Sequence, residues 1–375
     1  MAELPVAIRL NPFKLQEYEG TAVPWNKWGR ILGSRPAFTL DPLFHAGAYY
    51  VQDSSAMFVG HIFRKALELM PPGHLRVLDL CAAPGGKSTD LATSLRESRG
   101  DDFTLISNEV MKLRRAVLDD NISKWGDPRV TVCGADPSAL AACPGAFDII
   151  LADVPCSGEG MFRKDEKARQ QWSEQTVELC AARQKRILAD AWPALREGGI
   201  LIYSTCTYNR KENDDNLLWA AETLGGKILP PDAGFADYGV RTTETGNLLK
   251  AEESLGEGQW VGSLVKTVPS RSTRKFLAEA LHPVRHDPKE ELAGSALRID
   301  FNPASQNTVD VNLQTALKYL HRDALVLPDA PLGKVVISYR GIPLGFVNNI
   351  GSRCNNLLPK SRRILMDINA KTETF

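Results

Sequence analysis

Residues 77–89 read Val77-Leu78-Asp79-Leu80-Cys81-Ala82-Ala83-Pro84-Gly85-Gly86-Lys87-Ser88-Thr89, an apolar run that passes into a small-residue turn and then into a polar stretch. A short apolar run closed by Pro and Gly has the form of a buried parallel strand, and the residues after it open a helix near Lys87. Gly85 and Gly86 let the backbone pass close to a ligand, and the first helical turn offers unpaired N–H groups at its positive end. Working outward, short β-prone runs alternate with longer helical ones from Arg76 to Lys266. Strands are predicted at Arg76–Cys81, Thr104–Asn108, Val130–Cys133, Phe147–Asp153, Gly199–Ser204 and Trp260–Lys266. Helices are predicted at Lys87–Arg96, Val110–Lys124 and Ser173–Leu195. This alternation predicts an α/β fold with a doubly wound, mainly parallel, Rossmann-like sheet, which binds ligands at the carboxyl ends of its strands.

The chain has 375 residues, more than one hydrophobic core usually organises, so a second unit is expected. Residues 1–70 are expected to form an N-terminal segment, a partial RNA-binding extension packed on the main domain, which spans 71–268. Pro269, Pro283 and Pro288 mark 269–295 as a linker with room for one short helix. Residues 296–375 form a small β-rich unit, with a helix at Leu313–Leu320 and strands Lys334–Tyr339 and Leu344–Val347 around the turn Arg340-Gly341-Ile342-Pro343.

Lys plus Arg and Asp plus Glu each number 45, so a polyanion site must come from local clusters. No apolar run reaches membrane-span length and no signal or transit peptide is visible, which makes the cytoplasm the expected location. The seven cysteines show no CxxC pair and no zinc spacing, so neither disulfides nor a metal site is expected.

The loop at 81–87 has neither the GxGxxG spacing of dinucleotide sites nor the GxxxxGK[ST] spacing of a P-loop, and S-adenosylmethionine fits it better. Glu109, at the end of the second strand, falls where a ribose hydroxyl needs an acceptor, and Asp136 after the third strand can accept from the adenine amino group. Either carboxylate alone would read as a solvated loop residue; together with the loop they read as a site.

Two thiols are placed on the ligand rim: Cys156 follows the fourth strand in Asp153-Val154-Pro155-Cys156-Ser157-Gly158, and Cys206 follows the fifth in Tyr203-Ser204-Thr205-Cys206-Thr207. Read singly, Cys81, Cys133, Cys143 and Cys180 are packing residues. Carbon 5 of cytosine is too weak a nucleophile to take a sulfonium methyl until a thiolate adds at carbon 6. Hydrogen bonding or protonation at N3 assists that addition, and Asp153 is placed to supply it. Loss of the carbon 5 proton must then precede release, which gives a second thiol something to do.

On DLCAAPGGKST, DVPCSGEGMFRKD and YSTCTYNRKEN, with HAGAYYVQDSSAM upstream, the chain resembles the RsmF branch of the RsmB/RsmF and NSUN family of RNA cytosine-C5 methyltransferases. The resemblance covers most of the chain. It implies a class I methyltransferase domain followed by a PUA-like RNA-binding domain, Cys206 as the nucleophile and Cys156 as the residue that assists release. It carries the family's catalytic aspartate and lysine onto Asp153 and Lys87. The cofactor residues carry onto Cys81, Ala82, Ala83, Pro84, Gly85, Gly86, Lys87, Glu109, Asp136 and Asp153. DNA cytosine methyltransferases use the PC cysteine as nucleophile and lack the TC partner, which points to RNA. The chain opens near the strand at Val6–Asn11, so by resemblance a truncated N-terminal region is expected.

Candidate RNA contacts are Arg163 and Lys164 beside Phe162, Arg183 on the Ser173–Leu195 helix, and Arg353, Lys360 and Arg362 in a stretch without acidic residues. For Arg183 a solvated helix face is an equal reading. The substrate expected is 16S ribosomal RNA, alone or in the small subunit, with transfer RNA as the alternative, and the protein is expected to act as a monomer. Two other classes stay open: a non-catalytic RNA-binding assembly factor, and a methyltransferase for protein or small molecules.

Overall fold

The computed structural model describes residues 5–162, 169–170, 172–269 and 281–368. Three sheets organise these residues. The first is antiparallel, in the order β2-β3-β1-β4, from strands β1 (Val6–Leu10), β2 (Thr21–Val23), β3 (Asn26–Leu32) and β4 (Tyr49–Val51). A one-turn helix α1 (Pro42–His45) precedes β4, and α2 (Met57–Glu68) leads into the central domain.

The central sheet is built on parallel strands β5 (Leu75–Asp79), β6 (Phe103–Asn108), β7 (Val130–Cys133), β8 (Phe147–Asp153) and β9 (Leu195–Thr205). Helices α3 (Gly86–Arg99), α4 (Lys112–Trp125) and α5 (Glu174–Ala191) connect them. After α6 (Asp214–Leu224) come β10 (Gly226–Ile228), β11 (Val240–Thr242), β12 (Gly246–Leu249) and β13 (Gln259–Lys266), the last antiparallel to β9. The order is β11-β12-β13-β9-β8-β5-β6-β7, with β10 on β13. Side chains alternate across this sheet. Val77, Ile149 and Ile202 face α2 and α3 residues such as Phe63 and Leu91, whereas Leu78, Ile150 and Leu201 face Ile187, Leu188 and Leu217 of α5 and α6. Both faces are covered, which is why the strands read as continuous apolar runs. The predicted α/β doubly wound sheet is therefore present. The helix expected to reach Leu195 stops at Ala191, because Pro193 in the following turn cannot continue it and Leu195 already belongs to β9.

The C-terminal unit contains α7 (Pro288–Ser295), β14 (Thr308–Asp310), α8 (Leu313–His321), β15 (Gly333–Tyr339), β16 (Ile342–Asn349) and β17 (Cys354–Asn356). Its hairpin is tighter than the sequence suggested: only Arg340 and Gly341 form the turn, at φ 52° and 75°. Both values are positive, as a two-residue type I′ turn requires, and so Ile342 and Pro343 lie in the strand. The described part of the 269–295 stretch, from Leu281 onward, is paired to the main sheet. The amide of Val284 donates to the Val132 carbonyl and Pro283 bridges Cys133, so this segment covers the free edge of β7.

The N-terminal sheet and the C-terminal unit share one hydrophobic core, in which Ile8, Leu10, Leu43 and Tyr49 pack with Leu317, Tyr319, Val335 and Ile337. Polar contacts fasten this pair to α4. Asn11 and Lys14 donate to the carbonyls of Trp125 and Lys124 at its C-terminus, at 2.9 and 2.6 Å. Arg362 pairs with Asp120 at 2.9 Å and donates to the Ser123 hydroxyl at 2.7 Å. The Arg362 side chain is only 14 % exposed. Its assignment to RNA is therefore corrected to an anchor between units, whereas Arg353 and Lys360 are exposed. No helix among the described residues is long and apolar enough to cross a membrane.

The half-buried Arg362–Asp120 pair lies between the energy ranges of exposed and buried ion pairs, so Arg362→Ala is expected to destabilise the fold by about 1–2 kcal/mol in urea unfolding. Arg353→Ala should change it by less than about 0.5 kcal/mol. Equal effects of the two substitutions would contradict the anchoring role.

Candidate active site

The glycine turn after β5 meets three other loops at the carboxyl edge of the sheet. Gly85 sits at φ 111°, a conformation that disfavours any side chain, and starts α3 without a side-chain cap, leaving its first amides open. Asn108 holds the neighbouring loops in register by donating to the carbonyls of Leu80 and Ala135 at 3.2 and 2.9 Å. From the N-terminal sheet the fully buried Arg9 reaches the Gly86 carbonyl at 3.1 Å and Gln52 Oε1 at 2.8 Å, so the first unit buttresses the glycine turn.

Two neighbouring cavities open here. The larger, about 570 Å³, is lined by Cys81, Glu109, Met111, Asp136, Arg183 and Arg186. The smaller, about 210 Å³, is lined by Gln52, Asp79, Ala83, Lys87 and Asp153 and shares Cys81 with the first. Their combined size falls within the roughly 300–1,000 Å³ usual for small-ligand sites. Both contain buried acceptors that lack a donor. Glu109 is 3 % exposed, and its Oε2 has an ion-pair contact to Arg114 at 3.3 Å but no hydrogen bond. Asp79 is fully buried; one oxygen accepts from Ser88 at 2.6 Å and the other has no partner. Burial pushes the Asp79 carboxyl up to about 7, against the opposing pull of Ser88. An unsatisfied buried acceptor costs about 1–3 kcal/mol, and ligand hydroxyl or ammonium donors would remove that cost. Asp136 is exposed at the cavity wall and caps the following turn through the Ser138 amide. The residues fit S-adenosylmethionine: Glu109 for the ribose, Asp136 for the adenine, and Asp79 with the 83–87 loop for the amino-acid end. Asp79 was given no role from sequence, although it ends the motif's strand.

Strands β8 and β9 are paired Asp153 to Ser204, and their loops bring the two rim thiols together. Cys156 Sγ and Cys206 Sγ are 3.1 Å apart, and all seven cysteines are free. The dominant influence on each thiol is the other. Either sulfur can donate across this contact; with Cys156 as donor it holds the pKa of Cys206 below the ordinary thiol value, with help from Lys87 and against burial and Asp153. The same hydrogen bond, together with burial, raises Cys156. Of the two, Cys206 is therefore the thiol that ionises first. Lys87 Nζ donates to Asp153 at 2.9 Å, and the other Asp153 oxygen accepts from the Ser204 hydroxyl at 2.6 Å. Burial works to lower the Lys87 ammonium, but Asp153 outweighs it and the pKa ends above its ordinary value.

Two carboxylates missed from sequence staple the thiol loops. Glu212, fully buried, accepts from the Ser157 amide at 3.0 Å and from Gln184 at 2.7 Å. Glu159 accepts from the Thr207 hydroxyl at 2.9 Å and the Tyr208 amide at 2.7 Å. Each is anchored on one loop and grips the other, a cross-loop contact that leaves no periodic signal in the sequence. Arg163 and Lys164 lie outside the described residues. Arg183 is exposed on the wall of the larger cavity, which Glu109 and Asp136 also line.

A sheet of order β7-β6-β5-β8-β9 followed by an antiparallel strand, with a glycine turn after β5 and acids after β6 and β7, defines a class I methyltransferase fold. The family described as "16S rRNA methyltransferase RsmB/F" matches residues 66–221. The "N-terminal domain of 16S rRNA methyltransferase RsmF" matches 1–54 and the "Methyltransferase RsmF PUA domain" matches 306–364. Ribosomal RNA small subunit methyltransferase F of Escherichia coli O127:H6 is 33 % identical over 350 residues, covering 89 % of this chain and 69 % of that protein. Its counterpart in Escherichia coli O157:H7 is 33 % identical over 321 residues, 82 % of this chain; there the chain spans 63 % of the relative's length. A methyltransferase homologue from Pyrococcus horikoshii superposes with TM-score 0.58 at 26 % identity, over 70 % of this chain and 87 % of that one. The chain belongs to the RsmB/F family of 16S rRNA methyltransferases, with the N-terminal and PUA domains of the RsmF type.

Iodoacetamide labelling followed by peptide mass spectrometry is expected to modify Cys206 at lower pH than Cys156. Cys156→Ala removes the donor and should move the Cys206 labelling curve to higher pH. A curve that stays in place, or earlier labelling of Cys156, would sink the thiolate assignment.

Proposed function

We propose that the protein methylates carbon 5 of a cytosine in small-subunit (16S) ribosomal RNA, using S-adenosylmethionine, with Cys206 as the covalent nucleophile. The observation that carries this reading is the polarised pair of thiols 3.1 Å apart beside the Lys87–Asp153 pair. Neither a non-catalytic RNA-binding factor nor a protein methyltransferase needs such a pair. The names of the relatives and the matching PUA domain support RNA as the substrate class.

Cys206 Sγ adds to carbon 6 of the base, and charge develops at N3. Asp153 faces that charge, and the proton shared with Lys87 is the one available to N3. S-adenosylmethionine, when bound, supplies the electrophilic methyl group to carbon 5. Once Cys206 is bonded to carbon, one of the causes that raise the Cys156 thiol is gone, and Cys156 gives its proton to water to become a thiolate. Cys156, whose sulfur lies 3.1 Å from that of Cys206, is then placed to take the carbon 5 proton as Cys206 leaves. Because the base must be unstacked to reach these atoms, the substrate is single-stranded or flipped-out RNA.

Cys206→Ala is expected to abolish methyl transfer from labelled cofactor to RNA while cofactor binding is retained; residual turnover at more than about a thousandth of the wild-type rate would exclude covalent catalysis by this thiol. Cys156→Ala should accumulate a protein–RNA adduct visible as a shifted band on a denaturing gel, and a gel without that band would remove Cys156 from the release step.

A further inference from the structure

The geometry points to a second base-binding subsite: a groove of about 430 Å³ on the N-terminal unit that holds a nucleotide flanking the target cytosine, an inference that rests on the RNA reading above. Its walls are Arg35, Phe38, Thr39, Phe44, Tyr50 and Asn121, with Pro36, Ala37 and Val51 completing them. Tyr50 and Val51 are also walls of the cavity that contains Lys87 and Asp153, so the groove begins where the catalytic site ends. Tyr50 and Asn121 both donate to the Pro84 carbonyl, at 3.3 and 2.9 Å, which fixes the groove to the cofactor loop.

The chemistry of the lining selects the occupant. Each of the four other cavities described for this chain carries at least three carboxylates, such as Glu17, Glu19 and Asp41 in the largest. This groove has none, although the chain carries as many acidic as basic residues. It offers instead an exposed arginine and half-buried aromatic rings. The Phe38 and Phe44 centroids are 6.3 Å apart, and the Arg35 guanidinium lies 5.8 Å from the Phe38 ring centre. Aromatic faces for a base beside a cation for its phosphate are what unpaired RNA requires, and stacking of this kind tolerates any base.

Arg35→Glu changes an exposed side chain. Phe38→Leu keeps apolar packing but removes the π face, and Phe38→Tyr restores it. In methylation assays with small ribosomal subunits and with naked 16S transcript, the first two variants are expected to raise KM for RNA about tenfold, with kcat within twofold and cofactor affinity unchanged; Phe38→Tyr should recover most of the loss. Transcript containing 4-thiouridine should photocrosslink to peptides from residues 35–51. RNA that binds and is methylated but crosslinks only elsewhere, with KM unmoved in both variants, overturns the subsite and leaves the RNA reading intact. Absence of any RNA binding or methylation by the unaltered protein overturns both.

Discussion

Strands β8 and β9 run parallel and paired through Asp153 and Ser204, so the loops that follow them leave the sheet side by side. That pairing sets the thiol separation, because the backbone, not the flexible part of either side chain, brings Cys156 and Cys206 together. Cross-loop bonds then fix what the sheet begins: the Gly160 amide donates to the Cys206 carbonyl at 2.8 Å, while Glu159 and Glu212 each hold the opposite loop. A thiol pair preorganised in this way needs little rearrangement before the nucleophile is unmasked.

Around this centre the fold leaves buried charge incompletely satisfied. Asp79 and Glu109 each keep an oxygen without a hydrogen-bond donor at a cavity wall, an arrangement that core packing would not favour and that a polar ligand relieves. The N-terminal sheet is equally bound to this region through Arg9 and Tyr50, which reach the glycine turn directly. Since the same sheet shares its core with the C-terminal unit, the three parts meet around α4.

Much of this was legible in the sequence. The central strands are buried on both faces and bounded by turn residues, so Val130–Cys133 and Phe147–Asp153 have the predicted limits. The loop after β5 and the thiols after β8 and β9 follow from strand ends alone. The shared core of the outer units was not legible, because Ile8 and Val335 are far apart in sequence and each belongs to an unremarkable apolar run. Arg362 looked like part of a basic cluster; only the approach of Asp120 and Ser123 from α4 turns it inward. The flanking groove was hidden for the same reason, since its lining comes from the 35–51 stretch and from α4.

In the proposed mechanism Cys206, and not its neighbour, bonds to the base. The most direct test is tandem mass spectrometry of the unaltered protein reacted with S-adenosylmethionine and RNA carrying 5-fluorocytosine at the methylated position. Fluorine at carbon 5 cannot leave as the proton does, so the adduct persists after methyl transfer. The account predicts a crosslinked peptide with the methylated nucleotide on Cys206; a nucleotide found on Cys156 would contradict it.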